Sequence, residues 1–189
     1  TINSINIIKN NYEKRHQFEL LDKYDIPHIK TQFIEKNTTD IESLIDKTKE
    51  LVIKPCISGS GDNTYIINST RKNSLSPNKI NQTFKDIIKE SSLMVQPFIK
   101  DIDNGEISLI YINNKFTHAV KRYPSRFNNK NSIELIDVSF NDKLNLLIDK
   151  IKSIKEYKDN LYMRIDIVKI DNDYMVMELE LIEPDLFFY

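Results

Sequence analysis

The sequence predicts an α+β fold, and three observations carry that reading. Apolar residues recur at helical spacing in some segments and alternate in others. The alternating segments come in pairs joined by short polar turns, the pattern of antiparallel hairpins. The chain has 189 residues and 40% hydrophobic content, enough for one ordinary globular unit or two small subdomains.

The elements follow in order. Residues 12–24 predict a helix with Phe18, Leu20, Leu21 and Tyr24 on its apolar side, ended by Pro27. A short strand is expected at 31–34, and Ile41, Leu44 and Ile45 mark a second helix. Residues 51–54 form a compact strand stopped by Pro55. A turn-rich loop at 58–63 leads to a returning strand at 64–68. Polar residues 69–79 read as a loop, 80–90 as a helix and 93–99 as a strand interrupted by Pro97. A second half begins near Gly105. Strands at 107–112 and 116–120 meet through Asn113-Asn114, and another strand is expected at 133–138. Ser139-Phe140-Asn141-Asp142 has capping-box spacing, and helical periodicity then runs to about residue 157. The last hairpin pairs 161–170 with 174–182 across Asp171-Asn172-Asp173.

Composition narrows the function. Lys+Arg of 27 against Asp+Glu of 28 leaves a formal charge of -1, which points neither to nucleic acid nor to an anionic membrane. One cysteine, Cys56, allows no intrachain disulfide and fits a reducing, cytoplasmic setting. The apolar runs are too short to span a bilayer, and the first residues form neither a basic leader nor a signal core. The missing initiator Met suggests a trimmed or processed piece. His16, His28 and His118 are scattered and, with one cysteine, do not make a zinc site. Only 3 glycines occur, and Gly59, Gly61 and Gly105 all fall in candidate active-site loops.

The last hairpin concentrates carboxylates. Strand side chains alternate faces, so Met163, Ile165 and Ile167 share one face while Arg164 and Asp166 share the other. On the second strand Met175, Met177, Leu179 and Leu181 oppose Glu178 and Glu180 in the same way. A turn centred on Asn172 puts Asp166 opposite Glu178 and Arg164 opposite Glu180. Directly opposed like charges destabilise a sheet. Two readings relieve them: a solvated acidic face, or a divalent cation such as Mg2+, which takes carboxylate and phosphate oxygens.

Three other stretches invite a ligand. Lys54 ends an apolar strand just before Ser58-Gly59-Ser60-Gly61, whose small residues let backbone N–H groups approach phosphate oxygens. An ordinary hairpin loop explains the same residues. Met94-Val95-Gln96-Pro97-Phe98-Ile99 is apolar with one amide and suits a purine edge, or a plain core strand. Gly105-Glu106 offers a carboxylate to ribose hydroxyls, or is a turn with an exposed acid. Lys121 and Arg122 read either as site residues or as solvated charges. No Walker A or GxGxxG sequence is present.

In this order the pieces resemble the ATP-grasp superfamily over nearly the whole chain. They are most similar to the branch of bacterial glutathione synthetase, the ribosomal-protein glutamate ligases and the cyclo-ligase of D-cycloserine biosynthesis. The motifs are Lys14-Arg15-His16-Gln17-Phe18-Glu19-Leu20-Leu21, Val52-Ile53-Lys54-Pro55, Arg164-Ile165-Asp166 and Glu178-Leu179-Glu180-Leu181-Ile182-Glu183-Pro184. The resemblance implies two subdomains with antiparallel sheets and helices enclosing a nucleotide cleft. Residues 1–8 would be a linker from a missing N-terminal domain, 9–104 the first subdomain and 105–189 the second. It makes Lys14 and Lys54 phosphate-binding lysines and Ser58, Gly59, Ser60 and Gly61 a mobile phosphate loop. Gln96, Phe98 and Ile99 become the adenine hinge, and Glu106 the ribose acid. Asp166, Glu178 and Glu180 become ligands for Mg2+, with Mn2+ as an alternative ion, and Arg164 the catalytic cation. The implied activity is ATP-dependent joining of a small-molecule or peptide carboxylate to an amine through an acyl phosphate, with room for an oligomer. The rival is a non-catalytic nucleotide-binding module that regulates a partner. Several features depart from the family: an N-terminal domain is missing, and the chain stops at Tyr189 where relatives usually continue into another helix. Glu180 stands where many members have Asn, and Arg126 with residues 128–131 fits the usual Arg and Gly-rich stretch poorly.

Overall fold

The computed structural model describes residues 3–59, 61–71, 74–123 and 133–188. The chain divides into two compact units, one of Thr1–Ile29 with Lys100–Tyr189 and one of Lys30–Ile99. The change at Ile99/Lys100 falls within a few residues of the expected boundary at 104/105, but the first 29 residues pack with the later part of the chain.

The first unit opens with helices α1 (Ile5–Tyr12) and α2 (Lys14–Lys23). A single helix was expected from residue 12. Instead Glu13 takes extended angles, φ -102° and ψ 121°, and breaks the chain into two helices. Residues expected to form a linker therefore include the first four of the eight residues of α1, and Ser4 caps it by accepting from Ile7 N at 3.4 Å.

The second unit is a sheet of β1 (Gln32–Ile34), β2 (Leu51–Pro55), β3 (Tyr65–Ile67), β4 (Ser74–Leu75) and β5 (Leu93–Pro97), in the order β1-β5-β2-β3-β4. Only the β3–β4 pair is parallel. Helices α3 (Ile80–Phe84) and α4 (Ile87–Glu90) take the place of the single helix expected at 80–90. Ile53, Leu93, Val95 and Ile67 share a core with Ile80, Phe84 and Ile88 from the helices. The helix expected around Ile41, Leu44 and Ile45 is a single 3-10 turn, Glu42–Leu44. Three apolar residues supply one turn's anchorage, too little to offset helix nucleation. Ile41 and Ile45 are buried while Leu44 is exposed.

The first unit resumes after Ile99 with β6 (Glu106–Ile112), β7 (Lys115–Arg122), β8 (Ile133–Ile136), α5 (Asp142–Lys152), β9 (Tyr162–Ile170) and β10 (Asp173–Glu180). Its sheet runs β10-β9-β6-β7-β8, antiparallel throughout. Asn113 and Asn114, with φ of 51° and 60°, make the tight turn between β6 and β7. The cap of α5 is Asn141, accepting from Leu144 N at 3.0 Å, rather than Ser139. Helix α5 stops at Lys152, short of the expected 157. Its buried residues Leu144, Leu147, Ile148 and Ile151 recur at helical spacing, and the helix packs against β10.

The outer edge of β10 is not left as a bare row of backbone groups. Gln17 donates to Leu179 O at 2.6 Å and accepts from Leu179 N at 2.8 Å. Asn11 donates to Leu179 O at 2.7 Å and accepts from Leu181 N at 3.0 Å. Asn3 donates to Leu181 O at 2.7 Å, and the backbone of Pro27 and Ile29 pairs with Val176. Side-chain amides thus stand in for a missing strand and satisfy an edge that otherwise invites another chain. No described helix is long and apolar enough to cross a membrane.

Candidate functional site

The ladder of the first unit brings one set of charged residues to one sheet face. Directly paired residues lie on the same face, and the pairs are Glu178 with Asp166, Glu180 with Arg164, Asp166 with Ser108, and Glu106 with Arg122. Two β-bulges set this register. Met177 drops out of the β9–β10 ladder, and Thr117 drops out of β6–β7. The first bulge corrects the expected faces. Val176, opposite Ile167, joins the apolar face with Leu179, while Met175, opposite Val168, joins the charged one.

Asp166 is the hub and is 2% exposed. Arg164 grips it with two prongs, Nε to Oδ1 at 2.9 Å and NH2 to Oδ2 at 2.9 Å. Arg122 NH2 lies 2.7 Å from Oδ2, and Ser108 Oγ donates to Oδ1 at 2.6 Å. Arg122 also meets Ser108 Oγ at 2.8 Å through Nε and Glu106 at 2.9 Å through NH2. Arg164 reaches Glu180 at 2.8 Å, and the buried Lys14, from the first turn of α2, lies 3.3 Å from Glu178. Three cations thus face four carboxylates.

Their protonation follows from burial and neighbours. Burial would raise the Asp166 carboxyl, but Arg122 and Arg164 overcome it and hold the group below its ordinary value. Glu180 goes the other way. Burial and the charge of Glu178 push it up to about 7, with Arg164 offsetting only part. Glu106 is also pushed up to about 7, by burial and the nearby Asp166 charge, against the pull of Arg122.

This geometry bears on the expected metal ligands. Both Asp166 oxygens are occupied by guanidinium and hydroxyl groups, and no three described His, Cys, Asp or Glu residues converge as a metal-holding group. Asp166 as placed does not fit the role of a ligand. Glu178 and Glu180 do fit. They are partly exposed, at 22% and 29% of their side chains, and their mutual repulsion is what a divalent cation relieves.

In the second unit Lys54, Gln96, Val52 and Met94 share the sheet face opposite the core, as the β2–β5 register requires. Ser58 Oγ donates to Pro55 O at 3.2 Å, and the following turn closes with Asp62 N to Gly59 O at 2.9 Å. Gly61 has φ 68°, a conformation that favours glycine. A Cβ on Gly59 would meet nothing within 4 Å, so close packing does not require glycine there. Phe98 is buried with the Arg71 guanidinium 4.6 Å above its ring, Ile99 is half-buried, and Gln96 donates to Thr31 at 2.9 Å. Ser60, Arg126 and residues 128–131 lie outside the described residues.

Several residues of the site were not foreseen. Arg122 reads from sequence either as a site residue or as a solvated charge; the Thr117 bulge in the β6–β7 ladder is what brings it, rather than Lys121, opposite Glu106. Lys121 packs its stem against Gly105, where any Cβ would come within 2.6 Å of it at φ 98°. Ser108 was legible by alternation from Glu106. Phe187, three residues past the motif that ends at Pro184, had no sequence signal. Phe187 lies with Ile110 and Val120, its ring 5.8 Å from the Arg164 guanidinium and 6.0 Å from that of Arg122.

The sequence matches the family model described as the prokaryotic glutathione synthetase ATP-grasp domain over residues 21–171. No curated protein matches it. Among solved structures it is similar to D-cycloserine synthetase DcsG, with a TM-score of 0.78 and 16% identity over 98% of this chain and 67% of that one. The D-alanine-D-alanine ligase from Coxiella burnetii gives 0.71 and 18%, over 98% of this chain and 51% of that one. The ATP-grasp ligase PsnB, complexed with a precursor peptide and AMPPNP, gives 0.65 and 17%, over 99% and 55%. At these identities the likeness shows the fold. The chain spans 67% of the first of these proteins and about half of the other two.

Proposed function

Because this chain belongs to the family of prokaryotic glutathione synthetase ATP-grasp domains, we propose that it is the nucleotide-binding part of an ATP-dependent ligase joining a carboxylate to an amine or similar nucleophile. The observation that carries the reading is the charged face of the first unit. Arg164 and Arg122 are fixed on a buried Asp166, next to two carboxylates whose charge is poorly accommodated.

In the reaction, a substrate carboxylate oxygen bonds to the γ-phosphorus of ATP and ADP leaves. The nucleophile's nitrogen then attacks the acyl carbon, phosphate departs, and the nitrogen loses a proton. Lys14 and Lys54 neutralise phosphate oxygens through charge-assisted hydrogen bonds. Glu178 and Glu180 would hold Mg2+, which when bound would supply Lewis-acid polarisation of the phosphoryl group. Arg164, oriented by its two-pronged contact with Asp166, stabilises charge on the acyl phosphate and the tetrahedral oxyanion. Arg122 holds the other side of Asp166 and joins Glu106 to it. Glu106 accepts from the ribose hydroxyls, and Gln96 with Phe98 and Ile99 meets the adenine.

Melting the chain with and without Mg-ADP tests the reading. Ligand at about 100 times its dissociation constant adds roughly 2.7 kcal/mol of stability, a rise of several degrees. An unchanged melting temperature overturns it. If nucleotide binds but the protein releases no phosphate with any panel of carboxylates and amines, it is a nucleotide-binding regulator instead.

A further inference from the structure

Leu179 stands between the two acids assigned to the cation, and its backbone is held from outside the sheet. It pairs with Ile165 in the β9–β10 ladder and is fully buried, so its amide groups need partners within the protein. Gln17, itself buried, meets both at once. Its Oε1 accepts from Leu179 N at 2.8 Å, and its Nε2 donates to Leu179 O at 2.6 Å. A backbone N–H only donates and a carbonyl only accepts, so the two bonds leave the carboxamide one orientation. Asn11 adds a second donor to Leu179 O and accepts from Leu181 N, just beyond Glu180. Lys14, three residues before Gln17 on α2, lies 3.3 Å from Glu178.

The strand needs a hold at this point. β10 is the outer strand of its sheet, and its ladder slips at Met177, the residue just before Glu178. A bulged edge strand bends and twists readily. Glu178 and Glu180 stand roughly 6.5 Å apart along the strand by its rise per residue. Mg2+ takes its oxygens at about 2.0–2.1 Å in near-octahedral geometry. Two glutamates aimed at one small ion therefore depend on the torsions of the residue between them. We propose that Gln17 is a positioning residue for the cation: by holding both amide groups of Leu179, it fixes the spacing and aim of Glu178 and Glu180. The assignment rests on the reading that those two acids hold Mg2+. Groups that orient metal ligands from behind are worth about 10–100-fold in affinity.

ADP is titrated into the full chain by calorimetry, once with Mg2+ and once with EDTA. The ratio of the two affinities measures what the ion contributes. Gln17→Leu is expected to leave the affinity in EDTA within about 2-fold and to cut the gain from Mg2+ by about 10-fold or more. Mn2+ titrated without nucleotide, followed by the paramagnetic resonance of the free ion, should show the same loss. Lower stability alone moves neither readout, because a chain still about 99% folded loses only about 1% of its apparent affinity. Asn11→Ala leaves Leu179 both bonds from Gln17 and should cut the Mg2+ gain by only about 3-fold. It carries the test if Gln17→Leu does not fold. A Mg2+ gain that the folded variants keep in full overturns the assignment. Equal losses with and without Mg2+ also overturn it and leave Gln17 a structural edge residue. If the wild-type chain binds ADP no better with Mg2+, the assignment of Glu178 and Glu180 to the ion fails and takes this one with it.

Discussion

Glu178 stands directly across the ladder from Asp166 because Met177 takes no place in it. The pairs run from Asp173 with Ile170 to Val176 with Ile167, then step to Glu178 with Asp166. Without that step Met177 would face Asp166, and Glu178 would fall on the apolar face. A single extra residue thus puts an acid beside acids, with Lys14 and the two arginines as the only described compensation.

That crowding gives the ligand-free chain an unusual pH profile. Glu106 and Glu180 titrate at about 7 in the folded chain and near 4.5 when ordinary. Between those values the folded chain binds more protons than the unfolded one, so stability falls as pH rises and levels off above about 7. Asp166, held below its ordinary 3.8, contributes stability above that pH which is lost only as pH falls through its lower folded value. The melting temperature should therefore peak near pH 4–5 and decline towards pH 8. Thermal melts across that range check it, and a rising profile would contradict the charge assignments.

Glu180→Gln removes the charge that the fold tolerates least. At pH 8 the ligand-free variant should melt no lower than wild type, despite losing the contact with Arg164. At pH 5, where Glu180 is already protonated in the folded chain, the variant should gain nothing over wild type. Stabilisation by Mg-ADP should shrink at both values. A variant that melts lower at pH 8 yet binds Mg-ADP normally would make Glu180 a structural partner of Arg164.

Arg164→Met tests chemistry and stability together. The side chain is buried against Asp166 and also touches Glu180. Losing one partner of a buried ion pair costs roughly 3–5 kcal/mol, with the low end expected here because Arg122 remains on Asp166. Urea unfolding measures that cost. Below the variant's melting point, ADP affinity should change little, while turnover should fall by about 10²–10³. Proportional losses in affinity and turnover would remove Arg164 from the reaction.

Gln17→Leu strips one rung from the edge of β10. Leu179 O keeps its bond from Asn11, but Leu179 N loses its only described acceptor. An orphaned buried N–H costs about 1–3 kcal/mol. Urea unfolding should show that loss, and hydrogen exchange at the Leu179 amide should accelerate well beyond that of Ile165 opposite. Equal acceleration at both would mean general loosening rather than a broken edge contact.

The hairpin acids were legible because alternation and charge are local signals. The turn lies half a residue from Asn172, and the Met177 bulge restores the register that such a centre implies. Bulges leave no periodic trace, which is why Arg122 stayed ambiguous while Asp166 did not. The helix expected at Ile41–Ile45 failed for lack of length, and the break at Glu13 carries no proline or glycine to announce it. Least legible were Asn3, Asn11 and Gln17. A side-chain amide bound to a strand edge has no repeat, and its partners lie more than 160 positions away.

That distance bears on how the molecule comes into being. The first turns of helix emerge from synthesis long before their partners exist. They cannot be completed until Val176 to Leu181 have been made, so this unit cannot mature from front to back. Closing a loop of that length costs about 4–5 kcal/mol of chain entropy, which must be met before any amide rung forms. Until those rungs form, the outer edge of β10 is open to pairing with other chains.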